Sequence, residues 1–156
     1  MNPYPLHFAL LGCQPLCETS FGYNKLSTHN PKVKAVVLLS AWNVGAPRPS
    51  EAEEARALAN GENLAPIAGT NGTTLAHEEF THRAELDLLH LVRSIAPRPV
   101  MIVTANDHSD QFAIPFVAAL HSAADFQVSE SHFETDHSYS GKRLELAEAV
   151  LAFLKF

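Results

Sequence analysis

The chain is short of cysteine, of positive charge and of long apolar runs, and each shortage removes a class of protein. Its 156 residues include two cysteines, Cys13 and Cys17. Two thiols cannot form the disulfide framework of a small secreted domain, so both are expected to be free and buried or half-buried. Eleven Lys and Arg stand against 17 Asp and Glu, a formal net charge of −6. That balance argues against a basic face that binds nucleic acid. No apolar run approaches the roughly 20 residues of a membrane span, so no membrane partner is expected. Residues Pro5 to Leu11 are mostly apolar, but no basic segment precedes them and no clear small-residue cleavage site follows. A signal peptide is therefore not expected, and a cytoplasmic location is. Internal repeats, low-complexity tracts and interdomain linkers are also missing.

What remains is globular. Hydrophobic residues make up 46% and charged residues 18%, enough for one domain, residues 1–156, with a real core. Lys34-Ala-Val-Val-Leu-Leu-Ser40 is a short continuous apolar run between Asn30-Pro31 and Ala41-Trp42-Asn43. That is the pattern of a strand buried on both faces, as in a parallel sheet. Ser50-Glu-Ala-Glu53 has capping-box spacing and opens an alanine-rich helix, which Asn60-Gly61 stops. Gly69 to Thr74 reads as loop. Phe80, Ala84, Leu88, Leu91 and Ile95 recur at helical steps, predicting one amphipathic helix ended by Pro97. A strand over Val100 to Thr104 follows, then a helix marked by Phe112, Phe116, Val117 and Leu120. Phe126 to Phe133 is a more polar strand suited to a sheet edge. Leu144, Ala147, Val150, Leu151 and Leu154 form the apolar stripe of a terminal helix. Strands alternating with helices predict an α/β fold with a mostly parallel sheet of three or four strands. The segment 46–77 reads as an inserted cap or lid.

Right-handed crossovers would collect the loops after Ser40, Thr104 and Phe133 on one side of such a sheet. Two of those exits carry chemistry. Pro99-Val-Met-Ile-Val-Thr-Ala-Asn-Asp107 is a buried strand ending in a carboxylate, and Thr135-Asp-His137-Ser places an imidazole after the next strand. A carboxylate and a histidine on neighbouring strand ends can form the base half of a nucleophilic triad. Read without that partnership, Asp107 is a turn carboxylate capping the next helix, and His137 a loop histidine in a capping network.

From Pro31 onward the chain resembles the C-terminal half of an α/β-hydrolase. It is most similar to the dienelactone-hydrolase and prolyl-oligopeptidase-like branch. The resemblance rests on Val33-Lys-Ala-Val-Val-Leu-Leu-Ser40 with its Trp42-Asn43 exit, on Ala96-Pro-Arg-Pro-Val-Met-Ile-Val-Thr-Ala-Asn-Asp107, and on Thr135-Asp-His-Ser-Tyr139 running into Arg143. Acid before histidine with one helix between matches that superfamily. The resemblance implies Asp107 as triad acid, with Asp110 as its rival in the same loop, and His137 as base. It implies a truncated fold, because members are usually much longer and carry a Gly-x-Ser-x-Gly nucleophile elbow. Residues 1–30 have room for one strand at most.

Two registers compete for the elbow. Glu18-Thr19-Ser20-Phe21-Gly22 keeps the serine and the second glycine, though its preceding strand would contain Pro15. Phe8-Ala-Leu-Leu-Gly12 is a better strand, but it puts Gln14 at the nucleophile position and Cys13 beside it. Ser20 is the first choice of nucleophile, with Cys13 and Cys17 behind it. The early oxyanion loop is missing from this pattern, so any turnover is expected to be slow.

The function expected is hydrolysis of carboxylic esters or lactones by Ser20, His137 and Asp107, without a cofactor. Segment Trp42 to Thr81 would shape a pocket for a small or medium hydrophobic acyl group. The alternative is a degenerate, inactive hydrolase fragment stabilised by self-association. A shortened sheet is expected to leave one edge of the strand Ala35 to Leu39 bare, and so to favour a homodimer or larger homo-oligomer through that edge. The crowd of His108, Asp110, His132, Asp136 and His137 offers a third reading, a weak divalent-metal site, although no HExxH or paired-cysteine motif accompanies it.

Overall fold

A computed structural model describes residues 7–12, 32–41, 50–59, 71–95, 97–108, 110–123 and 127–154. Strands β1 (His7–Gly12) and β2 (Val33–Leu39) are followed by helices α1 (Glu51–Ala59), α2 (Gly72–Leu86) and α3 (Leu88–Ile95). Then come β3 (Val100–Ala105), α4 (Asp110–Ser122), β4 (Val128–Phe133) and α5 (Arg143–Phe153). The four strands form one sheet in the order β1-β2-β3-β4, with every neighbouring pair parallel. The expected α/β class and the polar edge strand β4 are both present.

Alternation along the strands builds two cores, because successive side chains point to opposite faces. Val36, Leu38, Val100 and Ile102 face one side and pack with Leu88, Val92 and Ile95 of α3 and with Phe116 and Leu120 of α4. Val37, Met101, Val103 and Ala105 face the other side and pack with Tyr139 and the half-buried Leu146, Ala149, Val150 and Phe153. β2 and β3 are thus covered on both faces, which is why their sequences run apolar without alternation.

Four expectations are corrected. First, β2 has no bare edge: β1 pairs along one side of it and β3 along the other. The sheet edges among the described strands are the outer sides of β1 and β4. Second, Gly72 to Thr74 are helical, not loop. The Asn71 side chain accepts the Thr74 N–H at 3.0 Å and so caps α2. Third, the apolar series from Phe80 to Ile95 is two helices. Asp87 adopts an extended conformation between them, its carboxylate accepting the Leu89 N–H at 2.9 Å and its carbonyl the His90 N–H at 3.1 Å. A short carboxylate that bonds its own neighbouring backbone competes with helix continuation and opens a new helix instead. Fourth, the predicted stripe of α5 is only partly buried: Val150 packs on the sheet as expected, but the rest of the buried face differs. Leu144 is 82% exposed and Leu151 56%, while Leu146, Ala149, Val150 and Phe153 meet the sheet.

The helix predicted at Ser50 forms as α1. The Glu53 carboxylate accepts from the Ser50 Oγ at 2.6 Å and from its backbone N–H at 2.8 Å. Those bonds hold the Glu53 carboxyl below its usual range. Within the segment 46–77, α1 packs against α2, and His77 Nδ1 lies 3.0 Å from Glu51 Oε1. No helix among the described residues is long and apolar enough to cross a membrane.

Candidate active site

The carboxyl ends of the parallel strands share one side of the sheet, so β3 and β4 deliver their exit loops together. Their register runs to Ala105 opposite Phe133. Just beyond it the Asn106 N–H donates to the Thr135 carbonyl at 2.9 Å. This bond ties the loop carrying the acid to the loop carrying the histidine.

Asp107 and His137 follow, and they meet. His137 Nδ1 lies 2.5 Å from Asp107 Oδ2. The Asp107 side chain is 8% exposed and that of His137 is 38% exposed. An ionised carboxylate only accepts hydrogen bonds, so Nδ1 carries the proton and the neutral ring's lone pair is at Nε2. The arrangement is a buried carboxylate bonded to a half-exposed imidazole.

The His137 loop is heavily bonded. Asp136 Oδ1 accepts the N–H groups of Ser138 at 2.9 Å and Ser140 at 3.1 Å. Bonding with Ser140, from its side chain first and its backbone second, holds the Asp136 carboxyl below its usual range despite a small opposing effect of desolvation. Thr135 Oγ1 donates to the Ser140 carbonyl at 2.7 Å, and the Tyr139 N–H to the Asp136 carbonyl at 2.9 Å.

The other residues singled out in the sequence fall elsewhere. Asp110 is exposed at the first turn of α4. His108 is exposed with φ of 63°. His132 is engaged on the α4 side of the sheet: its Nε2 donates to Asn106 Oδ1 at 3.0 Å and its Nδ1 accepts from Thr104 Oγ1 at 2.9 Å. Asn106 Nδ2 in turn donates to Glu134 Oε2 at 2.8 Å. Among the described residues no three His, Cys, Asp or Glu side chains gather as a metal-ligand set. Ser20, Cys13 and Cys17 lie outside the described residues. β1 ends at Gly12, in register with Leu39 at the end of β2.

A groove of about 600 Å³ lies between α4 and β4, with Ile102, Ala113, Ile114, His121 and Glu130 in its walls. Neither Asp107 nor His137 lines it.

Two residues escaped the sequence reading. Ser40 at the end of β2 is fully buried, and its Oγ bonds the hydroxyl of buried Tyr139 at 2.8 Å. The available signals were a polar residue closing an apolar run and an aromatic two places after His137.

Comparison with protein families and with curated proteins gives no match. The chain is similar to a solved structure described as an N-acyl homoserine lactone degrading enzyme, at 14% sequence identity and a TM-score of 0.49, over 94% of this chain and 67% of that one.

Proposed function

We propose that the chain hydrolyses carboxylic esters or lactones by a nucleophile–His137–Asp107 mechanism. The contact between His137 Nδ1 and the buried Asp107 carboxylate carries this reading. With Nδ1–H held by Asp107, Nε2 takes the proton of a hydroxyl or thiol as its oxygen or sulfur attacks the acyl carbon. Asp107 stays ionised and stabilises the imidazolium. The imidazolium then protonates the departing alkoxide, and water releases the acyl group by the same steps in reverse.

Ser20 is the proposed nucleophile. Cys13 and Cys17 are the alternative nucleophiles. The segment 46–77 is proposed as a cap over a small or medium hydrophobic acyl group. The other reading, an inactive fragment stabilised by self-association, draws support from the outer side of β1, which no other described strand pairs.

Hydrolysis of a short p-nitrophenyl ester and of a simple lactone tests the proposal. Wild type should turn over at least one of them, and His137→Ala and Ser20→Ala should abolish it. Loss in Cys13→Ala with retention in Ser20→Ala would transfer the nucleophile to Cys13. Equal rates in wild type and His137→Ala would leave the inactive fragment as the better account.

A further inference from the structure

We propose that Ser40 and Tyr139 are positioning residues, a buried hydrogen-bonded pair that holds the His137 loop so that its imidazole meets Asp107. The inference rests on the reading of Asp107 and His137 as a working acid–base pair, and it assigns a role to two residues that pair does not itself include.

The β2 exit and the loop after β4 converge on one carbonyl of β3. The Ser40 N–H donates to the Val103 carbonyl at 2.7 Å, joining the end of β2 to β3. The Tyr139 hydroxyl donates to the same oxygen at 3.3 Å. A phenol has a single proton, so with that proton on Val103 the 2.8 Å contact to Ser40 must have the serine hydroxyl as donor. Both hydroxyls are then hydrogen-bonded inside a buried site, where an unmade bond is costly.

The ring of Tyr139 is fixed as firmly as its hydroxyl. It is buried among Val37, Met101, Val103 and Ala105 and stands edge-on to Phe133, with ring centres 6.0 Å apart and planes at 84°. The backbone shows what this anchoring demands. Ser40 has φ of 43° and Tyr139 φ of 53°. A bulky residue rarely adopts that region, and it stays there only when its surroundings impose it. The two residues, one at the β2 exit and one in the loop after β4, are bonded to each other. Only Ser138 separates Tyr139 from His137, so the tether acts on the histidine backbone directly.

Tyr139→Phe keeps the ring and removes the hydroxyl. A displaced catalytic group of about 1 Å can lower turnover on the order of 100-fold. The experiment is proton and nitrogen NMR of protein labelled at histidine, with His137→Gln identifying the His137 Nδ1 proton and circular dichroism reporting the fold. In wild type that proton should appear at low field, as expected for a bond to carboxylate. In folded Tyr139→Phe it should exchange with water about tenfold faster or more, with Ser40→Ala intermediate, and kcat should fall with KM unchanged. An unaltered signal in folded Tyr139→Phe would overturn the positioning role and leave the Asp107–His137 pair standing. No low-field His137 proton in wild type would overturn the pair itself, and the inference with it. Should Tyr139→Phe fail to fold, Ser40→Ala decides by the same two outcomes.

Discussion

Replacing Asp107 with asparagine isolates what the carboxylate does for His137. The side chain keeps its size, so the loop and the strand end should survive, but the negative charge is lost. As His137 takes a proton, a full positive charge develops close to Asp107 Oδ2, whose present distance from Nδ1 is 2.5 Å. Taking the charge centres as about 4 Å apart and an effective dielectric near 20, their attraction is roughly 4 kcal/mol. That corresponds to about three orders of magnitude in rate. The asparagine amide can also present N–H to Nδ1, which moves the ring proton to Nε2 and removes the base. In a Ser-His-Asp triad the same change costs about four orders of magnitude in turnover. The exposure of His137, at 38%, works towards the lower figure by admitting water. The expected loss in kcat/KM for the ester or lactone is therefore about 10³ to 10⁴, nearly all of it in kcat. Asp110→Asn is the control, since Asp110 is exposed on α4, and it should stay within about twofold. Folded Asp107→Asn retaining more than about a tenth of wild-type kcat/KM would refute the reasoning. A large loss in Asp110→Asn instead would transfer the acid role to Asp110.

Phe116→Ala should destabilise the protein by about 3–5 kcal/mol in urea denaturation, because Phe116 is fully buried between α4 and the sheet. Leu144→Ala should cost no more than about 0.5 kcal/mol, since that side chain is 82% exposed; a large loss there would mean the face of α5 assigned to solvent is wrong. The Asp136 carboxyl is held below its usual range in the folded loop, so its contribution is present above the ordinary carboxylate pKa and is lost as pH falls through the depressed one. Amide exchange at Ser138 and Ser140 should accordingly be faster in Asp136→Ala than in wild type at pH 7, and the difference should close in strong acid; equal exchange at pH 7 would count against the role of these bonds. The outer side of β1, which no other described strand pairs, predicts self-association, and light scattering showing a stable 17.0 kDa monomer at micromolar concentration would remove that expectation.

Local chemistry was enough to read much of this protein. The apolar, valine-rich runs Ala35 to Leu39 and Val100 to Ala105 read as strands covered on both faces, and both are. Ser50 and Glu53 start a helix through bonds that reach no further than three residues. The order of strand, carboxylate, helix, strand and histidine already placed Asp107 and His137 on adjacent strand exits, because parallel crossovers return the chain to the same side of the sheet. The remaining features depend on partners distant in sequence. The α5 sequence is apolar on two faces, so periodicity could not choose between Leu144 and Leu146; contact with the Tyr139 side of the sheet chose. The series from Phe80 to Ile95 keeps a helical period through Asp87, and only the hydrogen bonds of that carboxylate show the break. β2 became an interior strand once β1 paired with it. Ser40 and Tyr139 lie 99 residues apart and hold positive φ values that no local preference would select. The tertiary fold decides such features because a strained backbone or a buried hydroxyl is tolerable only where distant strands supply the packing and the hydrogen-bond partners that offset its cost.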